Sequence, residues 1–581
     1  MKNFFYLLAF FLIVASKASA YDYKTFKVTD YGANPNDAVD DVPAIDSAVA
    51  SANTWIGNQP YRIAIILFPA SGKGFYLIGR YTEKKSEYLN NYSILLRSNI
   101  AFKGENKNNT IIKLADNMFT YRNKNGDKRT SNIFYGKNVS NISFSDLTFD
   151  MNGINNLNMP DDPNISNDKR VQTNLVIKIE GDENNSNLKF ENIIIKNNAG
   201  HNDIGIYGNG KGVSVINSSF INGGWNVGSP VIANSNNKDF SFLYSEWDNA
   251  VFENDSLIQE NPSIALLWYS GGIEIHGSNS KITGTYIYGC NPAIYIASER
   301  YNTLTYTLEN ITVKNTKMLR CVNGINFWVV NHINNVAIQN NFIQLTAPPQ
   351  ESKLFTKGKD YYAAGILVPN GNAPGYSNYS RTFVYGTEIN ANSDSLSNIL
   401  IRSNIINSEA PETIHNFMTT GIKIHSLKNS IIDSNTIEQM NYAGILLQAS
   451  AWGMNNLAIV RNTIGDFRRN YNTNVVSGYI VATDTYRPDA NQYKKKPAFR
   501  HISICNNTFN SNSADVDAAN GCTGTAKKYA CFKGMFFALP VWYAYTFKKD
   551  SYIMKASVFS IYNNKINNNT ANESITLVPQ N

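Results

Sequence analysis

Beyond Ala15 no apolar run in this 581-residue chain approaches the length of a membrane-spanning helix. Charge is also scarce. Asp, Glu, Lys and Arg make up 17% of the residues and the formal net charge is +7; Lys2 and Lys17 belong to the first twenty residues, which leaves 50 basic side chains against 45 acidic ones from Tyr21 onward. The runs Lys494-Lys495-Lys496, Lys527-Lys528 and Lys548-Lys549 fall in loop-like sequence, with no basic stripe and interleaved aromatics, a pattern that argues against a nucleic-acid partner. Histidines number only 6, and no cluster of acids or histidines calls for a metal or another cofactor.

The start of the chain stands apart. Lys2 precedes an unbroken apolar segment from Phe4 to Ala15, and Ala18-Ser19-Ala20 has the small-x-small form of a cleavage site. Residues 1–20 therefore read as a secretory signal peptide, too short for a membrane span, with the mature chain beginning at Tyr21 and a secreted or periplasmic destination. Five cysteines are an odd number for an exported protein. Cys290 and Cys321 each lie four residues before an isoleucine (Ile294, Ile325) that should face inward, which stacks them one repeat apart, either as a disulfide or as a reduced buried pair. Cys522 and Cys531 bracket a short polar loop and form a second candidate pair, leaving Cys505 free and buried.

What the chain has in quantity is Ile, Phe, Tyr and Asn, arranged in a repeat. In Ile273-Glu274-Ile275-His276 the isoleucines would share one face of a strand and the ionisable groups the other, and Gly277-Ser278-Asn279 then turns the chain. Further copies begin at Ile177, Ile204, Val231, Ile294, Ile325, Ile366, Ile422 and Ile445, most of them followed by a second strand and an Asn-rich turn. A period of roughly 20–30 residues built from short strands and polar turns specifies a stacked solenoid, which lengthens by adding rungs and so accounts for the length as one long domain. Asn suits both the tight turns and hydrogen-bonded ladders between aligned rungs. Residues 151–170, 223–230 with 248–270, 347–363 and 370–397 interrupt the repeat, and loops of this kind are expected to wall a groove.

Near the start, Phe26 to Ala33 reads as a strand ending in a glycine turn. Val42 to Ala50 reads as an amphipathic helix, with Asp40-Asp41 at its positive end, that covers a stack whose first strand is Ile63 to Phe68. The pattern F-x-V-x-D-Y-G-A followed by D-D-x-x-A-I-x-x-A rests on Phe26, Val28, Asp30, Tyr31, Gly32, Ala33, Asp40, Asp41, Ala44, Ile45 and Ala48. It resembles the N-terminal segment of the pectate-lyase superfamily of right-handed parallel β-helices, in the rhamnogalacturonase/epimerase-like and phage-tailspike-like branch. Asn36-Asp37 stands where that family usually has Asp-Gly. The resemblance implies an all-β, single-stranded right-handed parallel β-helix with an N-terminal capping helix. The expected division is a signal peptide at 1–20, the N-terminal strand and capping helix at 21–62, the β-helix at 63–515, and C-terminal rungs and cap at 516–581, with Phe536, Phe537, Trp542, Tyr543, Tyr545 and Phe547 closing the far end. Tailspike-like relatives trimerise, so the resemblance admits a homotrimer.

Aligning the copies yields two outward columns. One reads Lys178, Gly205, Ile232, Glu274, Tyr295, Asn326, Leu367, Lys423, Leu446; the other reads Glu180, Tyr207, Asn234, His276, Ala297, Trp328, Pro369, His425, Gln448. A carboxylate, an imidazole, amides and exterior rings on one strip suit a polysaccharide, whose C–H faces stack while its hydroxyls need donors and acceptors. Glycoside hydrolysis needs two carboxyl groups across the scissile bond, and Glu274 with Asp203, two rungs earlier, is the favoured pair, with Glu246 and Asp248 as substitutes for Asp203. His276 would orient or tune these acids, and Tyr207, Asn234, Tyr295, Asn326, Trp328, His201 and Lys423 would contact the polymer. Two other readings stand beside hydrolysis. One is a lyase acting on a uronic-acid polymer by β-elimination, with His276, Tyr207 and Lys423 as its parts; the other is a non-catalytic polysaccharide-binding protein or adhesin.

Overall fold

The chain, seen in a computed structural model, is a right-handed parallel β-helix of three long parallel sheets. Residues 21–81, 90–116, 118, 130–156, 174–224, 239–266, 269–298, 300, 306–328, 332–349, 352, 361–368, 396–409, 417–449, 454–468, 478–484, 499–510, 535–540, 559–567 and 576–580 are described. Each rung gives one strand to each sheet, so every strand pairs with the strand one full turn later. The first sheet runs from Asp22–Lys27 to Phe559–Tyr562, the second from Asn90–Leu95 to Thr576–Gln580, and the third from Tyr76–Ile78 to Lys565–Asn567.

One core fills the interior, because alternate side chains of all three sheets point into it. Along the second sheet, Ile177, Ile204, Leu243, Ile273, Ile294, Ile325 and Ile366 stack in register. Along the first, the rings of Phe102, Phe144 and Phe190 pile up with centroids 5.0 and 5.6 Å apart. Each such side chain, fully buried, is worth about 1.5–3 kcal/mol relative to exposure, and the same increment recurs at every rung.

The corners are held by asparagine. Asn341, Asn404, Asn435, Asn462, Asn507 and Asn564 occupy one corner column, each side-chain amide donating to the next carbonyl at 2.9–3.0 Å. Each also donates to a main-chain carbonyl of the preceding rung, as Asn435 does to Ile401 at 3.0 Å. A second set, including Asn141, Asn187, Asn249, Asn279, Asn310 and Asn335, takes the left-handed conformation (φ 54–64°) in the first half of first-sheet strands or just before them, where Asn is tolerated better than other residues with a Cβ.

Several expectations change. The edge strand of the first sheet is Asp22–Lys27, paired with Arg62–Phe68, and Val28–Tyr31 is a 3₁₀ turn closed by Gly32 at φ 102°. Helix Val42–Ile56 buries Val42, Ala44, Ile45, Ala48, Val49, Ala52 and Ile56 and packs on those first strands. Asp41 makes no side-chain cap to the helix; its carboxylate instead accepts from the N–H groups of Asn34 and Leu77, both at 2.8 Å. Asp248–Glu253 and Ser256–Ile258 are strands, not loop, and Phe536 and Phe537 lie in a second-sheet strand, Met535–Pro540. Cys290, Cys321 and Cys505 are buried free thiols. Burial pushes the Cys321 thiol up to about 12. The proposed signal peptide, Cys522, Cys531 and Trp542 to Phe547 lie outside the described residues. Among the described residues no helix is long and apolar enough to cross a membrane.

Candidate active site on the second sheet

The rung expected at Val231–Asn234 is supplied instead by Asp239–Ser245, whose Leu243, Tyr244 and Ser245 pair with Ile204, Gly205 and Ile206 on one side and with Ile273, Glu274 and Ile275 on the other. Asn234 and Ile232 lie outside the described residues. The first outward column therefore reads Tyr135, Lys178, Gly205, Tyr244, Glu274, Tyr295, Asn326, and the neighbouring one carries Glu180, Tyr207, Glu246, His276, Ala297, Trp328.

Read across the two columns, successive rungs each carry one ring, on alternating sides: Tyr207, Tyr244, His276, Tyr295, Trp328. The companion position on each rung is small or polar: Gly205, Glu246, Glu274, Ala297, Asn326. The ring centroids lie 4.8, 4.5, 6.5 and 6.3 Å apart in that order. Gly205 has a local reason, since a Cβ there would sit 2.7 Å from the Tyr207 ring, which lies over it. The Lys178 ammonium covers the other side of Tyr207 at 5.3 Å from its centroid and pairs with Glu180 at 2.8 Å. Tyr207, Tyr244 and His276 thus cover one another's faces, with Tyr207 and Tyr244 partly exposed and His276 buried. Tyr295 and Trp328 are more widely spaced and tilted, at 55° to His276 and 33° to each other.

Glu274 sits at the centre of this strip. Its Oε1 accepts from the Ser241 hydroxyl and its Oε2 lies 3.5 Å from His276 Nε2. Ser241 reaches it because Gly271, beside it on the next rung, has no side chain: a Cβ there would meet the Ser241 oxygen at 2.4 Å. The main chain of His276 is fixed at both ends. Its N–H donates to the Ser245 carbonyl at 2.8 Å, and its carbonyl accepts from Arg300 Nε at 3.3 Å. Arg300 is buried and also bonds the Asp248 carboxylate and, at 3.2 Å, Asn209 Oδ1. Tyr306 donates to the same Asp248 oxygen at 2.7 Å.

The other acids are placed differently. Asp203 is interior: the strand bends so that it lies beside Ile204 at a corner otherwise filled by Val176 and Phe242, accepting from Asn198 Nδ2 at 2.9 Å. Burial pushes its carboxyl up to about 8, so it is protonated at neutral pH. Glu246 is on the exterior face yet fully covered, with Oε1 accepting from the Tyr244 hydroxyl at 2.7 Å and Oε2 from the Gly208 N–H at 2.5 Å. Asp248 is partly exposed. His201 lies in the turn before Asn202–Gly208, its carbonyl accepting from Ser241 N–H at 3.1 Å. Lys423 is four rungs beyond Glu274, and burial lowers its ammonium to about 8.

Glu274, His276, Tyr207, Tyr295, Asn326 and Trp328 thus share one strip, while Asp203 and Lys423 do not join Glu274. Tyr244 is absent from the columns read off the sequence. A signal for it exists: Leu243 precedes the left-handed Asn249 by the same six residues that separate Ile273 from Asn279. Among the described residues no three His, Cys, Asp or Glu side chains come together as a metal site.

Three coiled sheets around one core, with an exterior strip of rings and acids, define a parallel β-helix protein, and similarity to known proteins agrees. No protein-family profile matches the sequence. A stretch of 127 residues is 31% identical to mannuronan C5-epimerase AlgE3 of Azotobacter vinelandii, spanning 22% of this chain and 6% of the epimerase. The tailspike protein of E. coli bacteriophage HK620, solved in complex with a pentasaccharide, superposes with a TM-score of 0.51 at 14% identity, over 85% of this chain and 77% of its own. PfbA, a surface adhesin of Streptococcus pneumoniae, is similar over 84% of this chain and 90% of its own at 15% identity, with a TM-score of 0.44. At such identities the likeness to the solved structures is one of fold.

Proposed function

We propose that this is an exported polysaccharide-active enzyme that lays its polymer along the ring-lined strip and cleaves it at Glu274. The observation that carries the reading is the Glu274 carboxyl itself, on the exterior face, held by Ser241 and set against His276, with Tyr295 and Trp328 on the following rungs. The oligosaccharide bound to the HK620 tailspike and the polymer named for the epimerase support a glycan as the ligand.

Hydrolysis is the favoured chemistry, with Glu274 as general acid. It requires a second carboxyl group within about 5–10 Å across the bond. Asp203 is turned inside and Glu246 is sealed beneath Tyr244, so the hydrolytic reading pairs Glu274 with Asp248, the partly exposed acid on the adjoining rung. Elimination is a second reading, and the contact of His276 with Glu274 favours it, since an imidazole beside a carboxylate can take up a proton.

Incubation with neutral, capsular, pectic and alginate-type polymers separates the readings. New reducing ends without ultraviolet absorbance identify hydrolysis, the absorbance of an unsaturated uronate identifies elimination, and binding with neither product identifies an adhesin and refutes cleavage. Glu274→Gln should lower turnover by about 10²–10⁴-fold, the range for loss of a general acid or base.

A further inference from the structure

Glu246 is the anomaly of the exterior strip. An outward carboxylate on a strand should be wet, yet this one is fully covered and has both oxygens engaged, by the Tyr244 hydroxyl and the Gly208 N–H. Burying a carboxylate is costly unless short, charge-assisted hydrogen bonds replace its water. The donor from Gly208 is set by the main chain: Gly208 has φ 91°, and a Cβ there would lie 2.1 Å from the Gly181 carbonyl oxygen.

What this buried acid holds is a ring. Tyr244 is stacked between Tyr207 and His276, at 4.8 and 4.5 Å, and stacking alone leaves a ring free to slide or tip in its plane. The hydroxyl bond to Glu246 removes that freedom. Burial, together with the negative charge of Glu246, raises the Tyr244 hydroxyl well above its usual range, so it stays protonated and remains a donor. The main chain of His276 is fixed by Ser245 and Arg300, and the Tyr244 ring packs against the buried imidazole with centroids 4.5 Å apart.

We infer that Tyr244 and Glu246 are positioning residues for the Glu274–His276 pair: Glu246 anchors Tyr244 by its hydroxyl, and the Tyr244 ring sets the angle at which the imidazole meets the Glu274 carboxylate. Glu246 is fully covered and acts only through Tyr244, and the role assigned to Tyr244 is exerted through the imidazole. The inference rests on the cleavage reading for its catalytic consequence, but the orientation it assigns to His276 is independent of any activity.

Two measurements test it. The first is the side-chain ¹⁵N spectrum of the histidines in the full chain, with the His276 signals assigned by their loss in His276→Asn. Tyr244→Phe, which keeps the ring and removes the tether, and Glu246→Gln should both shift the His276 signals while leaving those of His332 and His501 in place. The second is kinetics on whichever polymer is cleaved. Each variant should lower kcat about 10–100-fold with KM within twofold, and the double variant should be no worse than the more impaired single one, since the two act as a unit. Unchanged His276 signals, or a loss of activity that only follows the loss of folded protein in a thermal melt, would overturn the assignment. Should no polymer be cleaved, the cleavage reading fails, and the spectrum alone still decides the orientation.

Discussion

Asp203 and Asp255 are carboxyls that the fold keeps protonated. Both are buried, and burial pushes each up to about 8 despite hydrogen bonds from Asn198 and from the Ser218 N–H that act the other way. In the unfolded chain an aspartate titrates near 3.9, so between about pH 4 and pH 8 the folded state binds protons that the unfolded state has lost. Their contribution to stability is therefore complete below about pH 4 and fades as pH rises to about 8, by up to ~1.4 kcal/mol per pH unit for each group. Thermal melts from pH 5 to pH 9 should show a falling Tm, and Asp203→Asn with Asp255→Asn should flatten the profile. A Tm that rises over this range would contradict the burial of the two acids. Asp255 carries a further expectation, because it stands in the corner column that continues through Thr285 and Thr316 to Asn341 and Asn404, and its Oδ1 accepts from Ser218 N–H at 2.9 Å as Asn404 Oδ1 accepts from Asn341 N–H at 3.0 Å. Asp255→Asn, which cannot ionise, removes this pH-dependent penalty and should stabilise the protein at pH 8 by at least about 1 kcal/mol, measurable by denaturant titration.

At the scale of strands and corners, the asparagine ladder replaces water for main-chain groups at a turn that alternating hydrophobicity cannot satisfy. Asn435 alone accepts from Asn404 N–H and Nδ2 and donates to Asn462 and to the Ile401 carbonyl. Asn435→Ala strands these partners inside the corner and should cost on the order of 3 kcal/mol in a denaturant melt, the price of more than one unmet buried polar group. A loss below 0.5 kcal/mol, roughly that of a neutral surface change, would show that the ladder is incidental. The alternation of Ile with polar residues was enough to read the stacking, the face that Glu274 and His276 share, and the role of asparagine. Two features broke that pattern. In Asp239–Ser245 the second inward position is Ser245 rather than an aliphatic residue, so Val231-Ile232-Ala233 looked like the better strand and displaced Tyr244 from its column. At Asp203 the strand bends so that two consecutive residues point inward, as Val176-Ile177 and Phe242-Leu243 also do, and strict period-two counting places the aspartate on the wrong side.

Over the whole molecule, the strip from Tyr207 to Trp328 spans five consecutive rungs, about 19 Å at the ~4.8 Å spacing of paired strands, which suits a segment of polymer better than a single sugar. Its two ends differ. The closely stacked half, Tyr207 to His276, ends in a buried imidazole, and in the more widely spaced half Tyr295 and Trp328 are both partly exposed. Trp328→Ala should weaken binding of the polymer by about fivefold, near the ~1 kcal/mol of one aromatic contact, with little change in Tm. Titration calorimetry measures the affinity, and an unchanged value would remove Trp328 from the binding surface.

The most direct test of a polymer handled along this strip is a crystal structure of the Glu274→Gln variant with an oligosaccharide fragment of the polysaccharide it recognises. Sugar density running across Gly271 to Trp328, with a glycosidic oxygen within hydrogen-bond reach of the side chain at position 274, is the predicted result. Density confined to another sheet would place the function elsewhere on the fold and contradict the account.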